Sequence, residues 1–290
     1  MPILMSSRVP KTSAARGRVR TALLRVSVAA ALVSAVAGVP IADGQVPKAT
    51  DYHSLLVSSS NPRVLLLGTH DGIFRSTDAG ATWRAAGLKG DDAMNLVQSG
   101  PLTLMGGHDV FAVSRDGGAT WHATSPKGLP GLDVHGLAAD PRHPNIVYAQ
   151  IAGTGLYRST DSGASFALLS ADVNGGMMPV AVSASGHLVV GDMSRGIFTS
   201  ATGKHWLHTA TGMVMGLAAD PADPNRLVAA SRGIAVSDDG GRSWQPALRS
   251  KVMFGPVAWS SADPAVVYAV GYDRSLWKSS NAGRSWKLVG

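Results

Sequence analysis

The sequence contains no cysteine and no glutamate. The lack of cysteine excludes disulfides, thiolate nucleophiles and cysteine-based zinc or iron–sulfur sites. The lack of glutamate excludes Glu-based acids, bases and nucleophiles, so aspartate supplies all 19 acidic side chains. Charged residues that favour helices are few, and the chain has 34 glycines, so the composition predicts a β-rich fold.

The formal net charge of +7 comes mostly from the amino-terminal 45 residues. These residues carry six basic side chains and one acidic side chain, a net of +5, whereas residues 46–290 hold 20 basic and 18 acidic side chains. No basic stripe with interleaved aromatics is present in the sequence. The charge distribution therefore argues against nucleic acid as a partner.

Residues 1–45 are typical of an export signal followed by a short linker. The basic stretch ends at Arg25, the apolar run "VSVAAALVSAVAGV" follows at 26–39, and small residues offer cleavage near residue 38. The run has 14 residues, whereas a spanning helix needs about 20. We expect a periplasmic or secreted protein, with an uncleaved anchor in contact with the membrane as the alternative.

A short motif recurs through the rest of the chain. "STDAGATW" at 76–83 has relatives at 114–121, 159–166, 237–244 and 279–286, and a degenerate copy, "SATGKHW", lies at 200–206. The closing aromatics are spaced by 38, 45, 40, 38 and 42 residues. Each unit contains four short apolar runs separated by turn residues, which matches one propeller blade. Residues 46–290 are therefore predicted to form an all-β, six-bladed β-propeller of four-stranded antiparallel blades. The alternative is a solenoid, but its end repeats should look like polar caps and these do not.

The repeated motif resembles the Asp-box, or BNR repeat, of sialidases, sortilin-like receptors and bacterial secreted propellers. The resemblance covers the chain beyond the leader and implies a propeller fold with an Asp-box in each turn between the third and fourth strands. Its carboxylate can accept hydrogen bonds from turn amides, and its glycine permits a positive φ. We therefore expect a structural role for Asp78, Asp116, Asp161, Asp239 and Asn281.

Catalysis has weak support in the sequence. The resemblance suggests a sialidase-like glycoside hydrolase as one alternative, but that activity uses a Tyr–Glu pair, and the chain has no glutamate. The nearest matches to the sialidase arginine motif, around Arg75 and Arg158, lack the following Ile-Pro. No Gly-x-Ser-x-Gly elbow or P-loop occurs. We name no catalytic residue and favour a binding or docking module.

Blade geometry directs attention to the face opposite the Asp-boxes. On that face the first strand of each blade begins and the second strand turns into the third. Ligands of propellers commonly bind at the mouth of the central channel on this face. Met177 and Met178 are expected near strand entries on this face. The candidate ligand residues on it are His53, His70, Asp71, His108, Asp109, His135, Met193, Tyr272 and Asp273.

Three interpretations remain open for this face. His53, His70, His108 and His135 suggest a site for a metal ion or a polar small ligand, because His with Asp suits Zn²⁺ and His with Met suits copper. The plainer interpretation is that Met and His fill an irregular channel. An envelope protein partner or a glycan is the third, since exposed aromatics such as Tyr272 suit an interface.

Overall fold

A computed structural model describes residues 39–40, 44–176 and 179–289. The predicted cleavage near residue 38 and the candidates Met177 and Met178 lie outside the described residues. Every helix or strand in the described part is a β-strand, which confirms the all-β prediction. That part contains no helix with the length and apolar character needed to cross a membrane.

Each repeat unit forms an antiparallel meander of consecutive strands, so the predicted propeller class is confirmed. The first sheet contains β1 (Val39–Pro40), β2 (Tyr52–Val57), β3 (Leu65–Thr69), β4 (Gly72–Ser76) and β5 (Thr82–Ala85). The second contains β6 (Asn95–Ser99), β7 (Leu102–Gly107), β8 (Val110–Ser114) and β9 (His122–Ala123). The third contains β10 (Val134–Asp140), β11 (His143–Ile151), β12 (Gly155–Ser159) and β13 (Ala167–Ser170). The fourth contains β14 (Val180–Val182), β15 (Leu188–Asp192), β16 (Gly196–Ser200) and β17 (Leu207–Ala210).

The fifth and sixth repeat units share one sheet. It contains β18 (Gly216–Ala219), β19 (Leu227–Ser237), β20 (Gln245–Trp259), β21 (Val267–Gly271), β22 (Leu276–Ser279) and β23 (Lys287–Leu288). β20 runs for 15 residues, pairs with β19 through its first part and with β21 through its second, and so joins the two units.

The prediction of six separate four-stranded blades is therefore wrong in its sheet count. Five sheets occur in the described part of the chain, and three of them have four strands. Besides the shared six-stranded sheet, the first sheet has a fifth strand because β1 pairs with β5. The proposed boundary between residues 1–45 and 46–290 stays a prediction, although Val39 and Pro40 already pair with Trp83 and Thr82.

The second strand of a unit is the most deeply buried. Every residue of β3, β15 and β21 is buried. These strands read as nearly continuous apolar runs because neighbouring sheets cover both of their faces. The last strands, β9 and β23, are exposed and short, as edge strands usually are.

Apolar clusters lie between consecutive repeat units. Leu66 and Ile73 of the first unit pack with Met105 of the second, and the same relation continues along the described chain. One cluster joins the first unit to the last, with Leu67 packed with Tyr268. The segment before β2 adds backbone hydrogen bonds to this junction, from Val46 to Arg274 at 2.8 Å and from Leu276 to Gly44 at 2.8 Å.

The Asp-box turns repeat one hydrogen-bond pattern. In the first, the Ser76 hydroxyl donates to Asp78 Oδ1 at 2.7 Å and accepts the N–H of Gly80 at 2.9 Å. Asp78 also accepts the N–H of Thr82 at 2.8 Å and its hydroxyl at 2.6 Å. The boxes of Asp116, Asp161 and Asp239 repeat these contacts, and Asn281 reproduces them by donating its amide N–H to the Ser285 hydroxyl. The turns thus satisfy their own polar groups.

The box glycine is where one sheet approaches the next. Gly118 has a φ of +81°, and a Cβ built on it would overlap the Leu66 side chain of the preceding unit. A Cβ built on Gly80 would likewise overlap the side chain of Leu276 in the last unit, so the same contact occurs between the first and the last unit. Similar contacts join Gly163 to Leu104 and Gly283 to Val228.

We predict that Gly118→Ala destabilises the protein more than Gly117→Ala. Both glycines have positive φ, which costs an L-residue about 1–2 kcal/mol, but nothing lies within 4 Å of a Cβ at Gly117. Gly118→Ala adds overpacking against Leu66, which is 2% exposed, at about 1–3 kcal/mol more. Urea unfolding of both variants measures the difference, and equal free energies of unfolding would contradict the packing role.

The box carboxylates predict acid sensitivity. Hydrogen bonds from the Ser243 hydroxyl and N–H lower the pKa of Asp239 to about 2, against about 3.9 in an unfolded chain. A carboxylate whose pKa is lower in the folded state contributes its full stabilisation at pH values above the unfolded-state pKa. That stabilisation is lost as the pH falls through the folded-state pKa. The fall in urea midpoint between pH 4.5 and 2.5 should therefore be smaller in Asp239→Asn than in wild type. The reciprocal variant Asn281→Asp should show a larger fall; two parallel pH profiles would show that these carboxylates do not set acid stability.

Candidate channel-mouth site

The first strands of the repeat units converge on a small cavity, which we call the channel mouth. Its volume is about 40 Å³, enough for about one water molecule. Four of the predicted ligand residues lie in its wall: His53, His135, Met193 and Tyr272. Met94, Asn95 and Met215 also line it, so the face inferred from blade geometry does gather these residues.

A carboxylate that the sequence analysis did not single out lies among the histidines. Asp92 precedes β6, with Oδ1 3.3 Å from His53 Nε2. Its Oδ2 is 2.9 Å from both His70 Nδ1 and His108 Nδ1. His70 and His108 occupy equivalent two-residue turns, β3–β4 and β7–β8. One aspartate thus contacts three of the four predicted metal ligands.

The fourth histidine meets His108 on the other side. His108 Nε2 lies 3.0 Å from His135 Nε2, and both face Asp133 Oδ1, at 3.4 Å and 2.8 Å. His135 belongs to β10, and Asp133 immediately precedes that strand. The two ring nitrogens of His108 therefore face different carboxylates.

The inner part of this cluster is buried. The side chains of His53 and His135 are 7% and 9% exposed, whereas those of His108 and Asp133 are 47% and 49% exposed. Burial lowers the pKa of His53, opposed by the charge of Asp92. Within the described residues, no aligned hydrogen bond satisfies His53 Nε2, His135 Nδ1 or either oxygen of Asp92. The short distances around Asp92 are thus close contacts rather than well-directed hydrogen bonds.

The predicted aspartates at the second turns shape the backbone. Asp71 accepts the N–H of Thr50 at 2.7 Å, and Asp273 accepts the N–H of Ser275 at 3.1 Å. Asp109 is exposed and has a φ of 56°, which aspartate tolerates better than most residues. None of the three lines the channel mouth. Each directly follows another candidate residue in the chain, namely His70, His108 and Tyr272.

Tyr272 packs in the mouth near the first unit. Its ring centroid lies 6.3 Å from that of Tyr52, and its hydroxyl donates to the Tyr52 carbonyl at 3.5 Å. Burial, then the charge of Asp51, raises the pKa of Tyr272. Tyr272 thus links the last unit to the first mainly through its packing against Tyr52.

Three aspartates escaped the sequence analysis, although a signal existed. Asp51 and Asp133 each stand two residues before a histidine, and Asp92 stands two residues before Met94. The spacing of Asp51, Asp92 and Asp133 is 41 residues in both steps, the length of one repeat. An Asp-x-His or Asp-x-Met pattern at strand entries would have found them.

Larger concave surfaces occur outside the mouth. The first strands of the repeat units line one of about 540 Å³ toward their far ends, where they turn into the second strands; Leu55, Val97 and Val257 belong to its wall. The second, which we call the side groove, has a volume of about 650 Å³ and lies between the fourth and fifth units. It shares Val214 with the channel mouth, so it opens beside it.

The side groove combines an apolar floor with a basic rim. Ile197, Trp244 and Leu248 contribute to the floor, and Arg232 and Arg249 are exposed at the rim. The arginines that form ion pairs in the described part of the chain are Arg142, Arg195, Arg226 and Arg284. Arg232 and Arg249 are thus available to an external anion.

The channel mouth does not have the arginine arrangement that sialidase activity requires. Among the described residues, no arginine lines the mouth. Arg75, the first sequence match to the sialidase motif, instead donates to the Gly117 carbonyl at 3.2 Å. The sialidase-like alternative therefore gains nothing from the geometry of the mouth.

Comparisons with solved structures find the same fold in proteins of different function. A structure described as "YCF48 bound to D1 peptide" is 22% identical, with a TM-score of 0.55, and the match covers 84% of this chain and 83% of that one. YCF48 from Cyanidioschyzon merolae is 17% identical, with a TM-score of 0.53 and 87% of each chain covered. A GH74 enzyme from Niastella koreensis is 18% identical, with a TM-score of 0.55 and 82% of this chain covered. This chain spans about half of that enzyme, 46% of its length.

At these identities the structural likeness shows the fold alone, and no curated protein matches the chain. A family model gives the more specific result. The model described as "Photosynthesis system II assembly factor YCF48" matches residues 50–289, which is most of the chain and spans all of its Asp-boxes. The resemblance to BNR-repeat propellers is thereby confirmed, and the chain belongs to the YCF48 family of these propellers.

Proposed function

We propose that this chain is a docking module that binds an extended, carboxylate-bearing peptide segment of a partner protein in the side groove. The observation that carries the proposal is the pair of exposed, unpaired arginines, Arg232 and Arg249, above an apolar floor. Arginine pairs with a carboxylate through two parallel hydrogen bonds, and the floor can take apolar side chains of the same segment.

The sizes of the cavities support a peptide rather than an enclosed small molecule. A drug-sized ligand usually occupies about 300–1,000 Å³ of largely enclosed space. The channel mouth, at about 40 Å³, is far too small for such a ligand. The side groove is large enough, at about 650 Å³, but it is a surface cleft bounded by strand ends and turns. That form suits a chain lying across the surface.

The backbone beside the arginines also suits peptide binding. β19 pairs Arg232 with Met253 and Ile234 with Leu248, so the facing stretch of β20 contains extra residues between those two pairs. Such a bulge interrupts the regular ladder and leaves backbone groups of the bulged strand unpaired. Ser250 lies in this stretch and lines the groove. Backbone groups there can meet those of an extended ligand.

The relatives agree with this kind of partner. One solved YCF48 is described as bound to a D1 peptide, and its match covers most of both chains. A glycosidase remains the alternative, and it rests on the fold shared with GH74 enzymes. The box carboxylates are poor candidates for that chemistry, because donors of their own turns occupy them.

We also propose that the protein is exported through its amino-terminal 45 residues. The basic stretch and the 14-residue apolar run support this. Expression of the full chain in a bacterial host and amino-terminal sequencing of the mature product should give a start near residue 38. An intact Met1 in the membrane fraction would favour the anchored alternative.

A peptide array tests the docking proposal. The array presents peptides with free carboxyl ends, the D1 peptide among them, to the full chain, and fluorescence anisotropy then gives the affinity of each bound peptide. We expect carboxylate-bearing peptides to bind, and Arg232→Ala/Arg249→Ala to weaken them about tenfold or more, equivalent to about 1.4 kcal/mol. Added salt should weaken wild-type binding as well.

The matched control is Arg115→Ala/Arg242→Ala, which removes the same charge from exposed arginines in two Asp-box turns. It should bind like wild type. The docking proposal is wrong if no peptide binds, or if the two double variants lose affinity equally.

A further inference from the structure

We propose that His108, Asp133 and His135 bind a divalent transition-metal ion, represented by Zn²⁺, and that Asp92 orients His108 behind it. This site lies on the second and third repeat units, whereas the side groove lies between the fourth and fifth, and it does not depend on the docking function.

The donor atoms already stand at ligand spacing. His108 Nε2, His135 Nε2 and Asp133 Oδ1 are separated by 3.0, 3.4 and 2.8 Å. Ligands about 2.0–2.1 Å from a tetrahedral Zn²⁺ lie about 3.3–3.4 Å from one another. The three atoms therefore fit one ion with shifts of a few tenths of an ångström. Two imidazole nitrogens and one carboxylate oxygen are a donor set that suits zinc and similar borderline ions.

Asp92 lies behind His108, on the side of the ring away from the proposed ion. Its Oδ2 lies 2.9 Å from His108 Nδ1, on the opposite side of the ring from the nitrogen that faces Asp133. Metal-bound histidines usually place their second ring nitrogen against a carboxylate, which fixes the tautomer and turns the other nitrogen toward the ion. Asp92 stands where such a carboxylate would stand, and an ion bound at Nε2 would leave the ring proton on Nδ1, which faces Asp92.

The three donor atoms crowd one another. His108 Nε2 and His135 Nε2 lie 3.0 Å apart, and both face Asp133 Oδ1. Two neutral imidazoles that meet through their Nε2 atoms can share one proton at most, and both crowd the same carboxylate oxygen. A cation between the three atoms would be attracted by all of their lone pairs, which otherwise face one another.

The exposed side of the site would leave the ion accessible. His108 and Asp133 are about half exposed, so solvent or another ligand can reach the fourth position. The second cluster on this face, Asp51, His53 and His70, has donor atoms within 4.8 Å of one another. Asp92 also lies 2.9 Å from His70 Nδ1 of that cluster. In the His108 cluster all three donor atoms are within 3.4 Å of one another, and this shorter spacing is the reason we choose it.

Calorimetric titration of the full chain with Zn²⁺ tests the site. We expect saturable binding, which His108→Ala/His135→Ala weakens by about 100-fold or more. Asp92→Asn should weaken it by about 10–100-fold, the range for loss of an outer-shell partner. Co²⁺ in place of Zn²⁺ should give tetrahedral absorption bands in wild type that the double variant loses and Asp92→Asn shifts.

Two controls separate this site from surface binding and from misfolding. His122→Ala/His187→Ala removes two exposed histidines elsewhere and should leave the affinity unchanged. Asp133→Asn keeps the size of a ligand side chain and should weaken Zn²⁺ binding, whereas Asp109→Asn, at an exposed turn, should not. Near-ultraviolet circular dichroism checks that each variant folds. The proposal fails if wild type binds Zn²⁺ no more tightly than His108→Ala/His135→Ala or Asp133→Asn, or if the control variants lose as much.

Discussion

Close approach of neighbouring sheets at the Asp-box glycine is the constraint that positions the other elements. At Gly118 the backbone takes a conformation that side chains disfavour, in a place where Leu66 of the preceding unit leaves no room for a Cβ. The hydrogen bonds of Ser114 and Asp116 fix the turn that delivers this glycine. Because the contact recurs from Gly80 to Leu276, it also joins the last repeat unit to the first. A local turn therefore determines a long-range spacing.

The two faces of the propeller differ in how their polar side chains find partners. The face with the Asp-boxes is occupied by self-satisfied turns, since each carboxylate is filled by donors of its own loop. The opposite face receives strand entries whose side chains also meet across units. His53 meets Asp92 of the next unit there, and His108 meets His135 of the one after. The packing between sheets, not these polar contacts, stabilises the fold.

The repeat made most of the fold predictable, because spacing alone gave the strand order and the face of each turn. It could not give the sheet count, since nothing in a local pattern shows that β20 continues without a break from Gln245 to Trp259. The four histidines were predicted from equivalent positions in the repeat. A search for aspartate at equivalent strand entries would have found Asp92, but its contacts with His53, His70 and His108 could not be predicted, because those residues meet it only in three dimensions. Arg232 and Arg249 were missed because a groove between units has no sequence period.

The metal cluster and the side groove occupy different sectors of one face, yet both reach the channel mouth. His135 lines the mouth from the third unit and Val214 lines it from the fifth. The mouth holds only about 40 Å³, so a side chain on one wall lies close to the opposite wall. Packed surfaces of this kind transmit small displacements because they cannot compress. An ion at the proposed metal site would orient His135, which lines the mouth together with Val214, a residue that the proposed docking groove shares. Any coupling between the two ligands must then be reciprocal, with each altering the affinity of the other by the same factor.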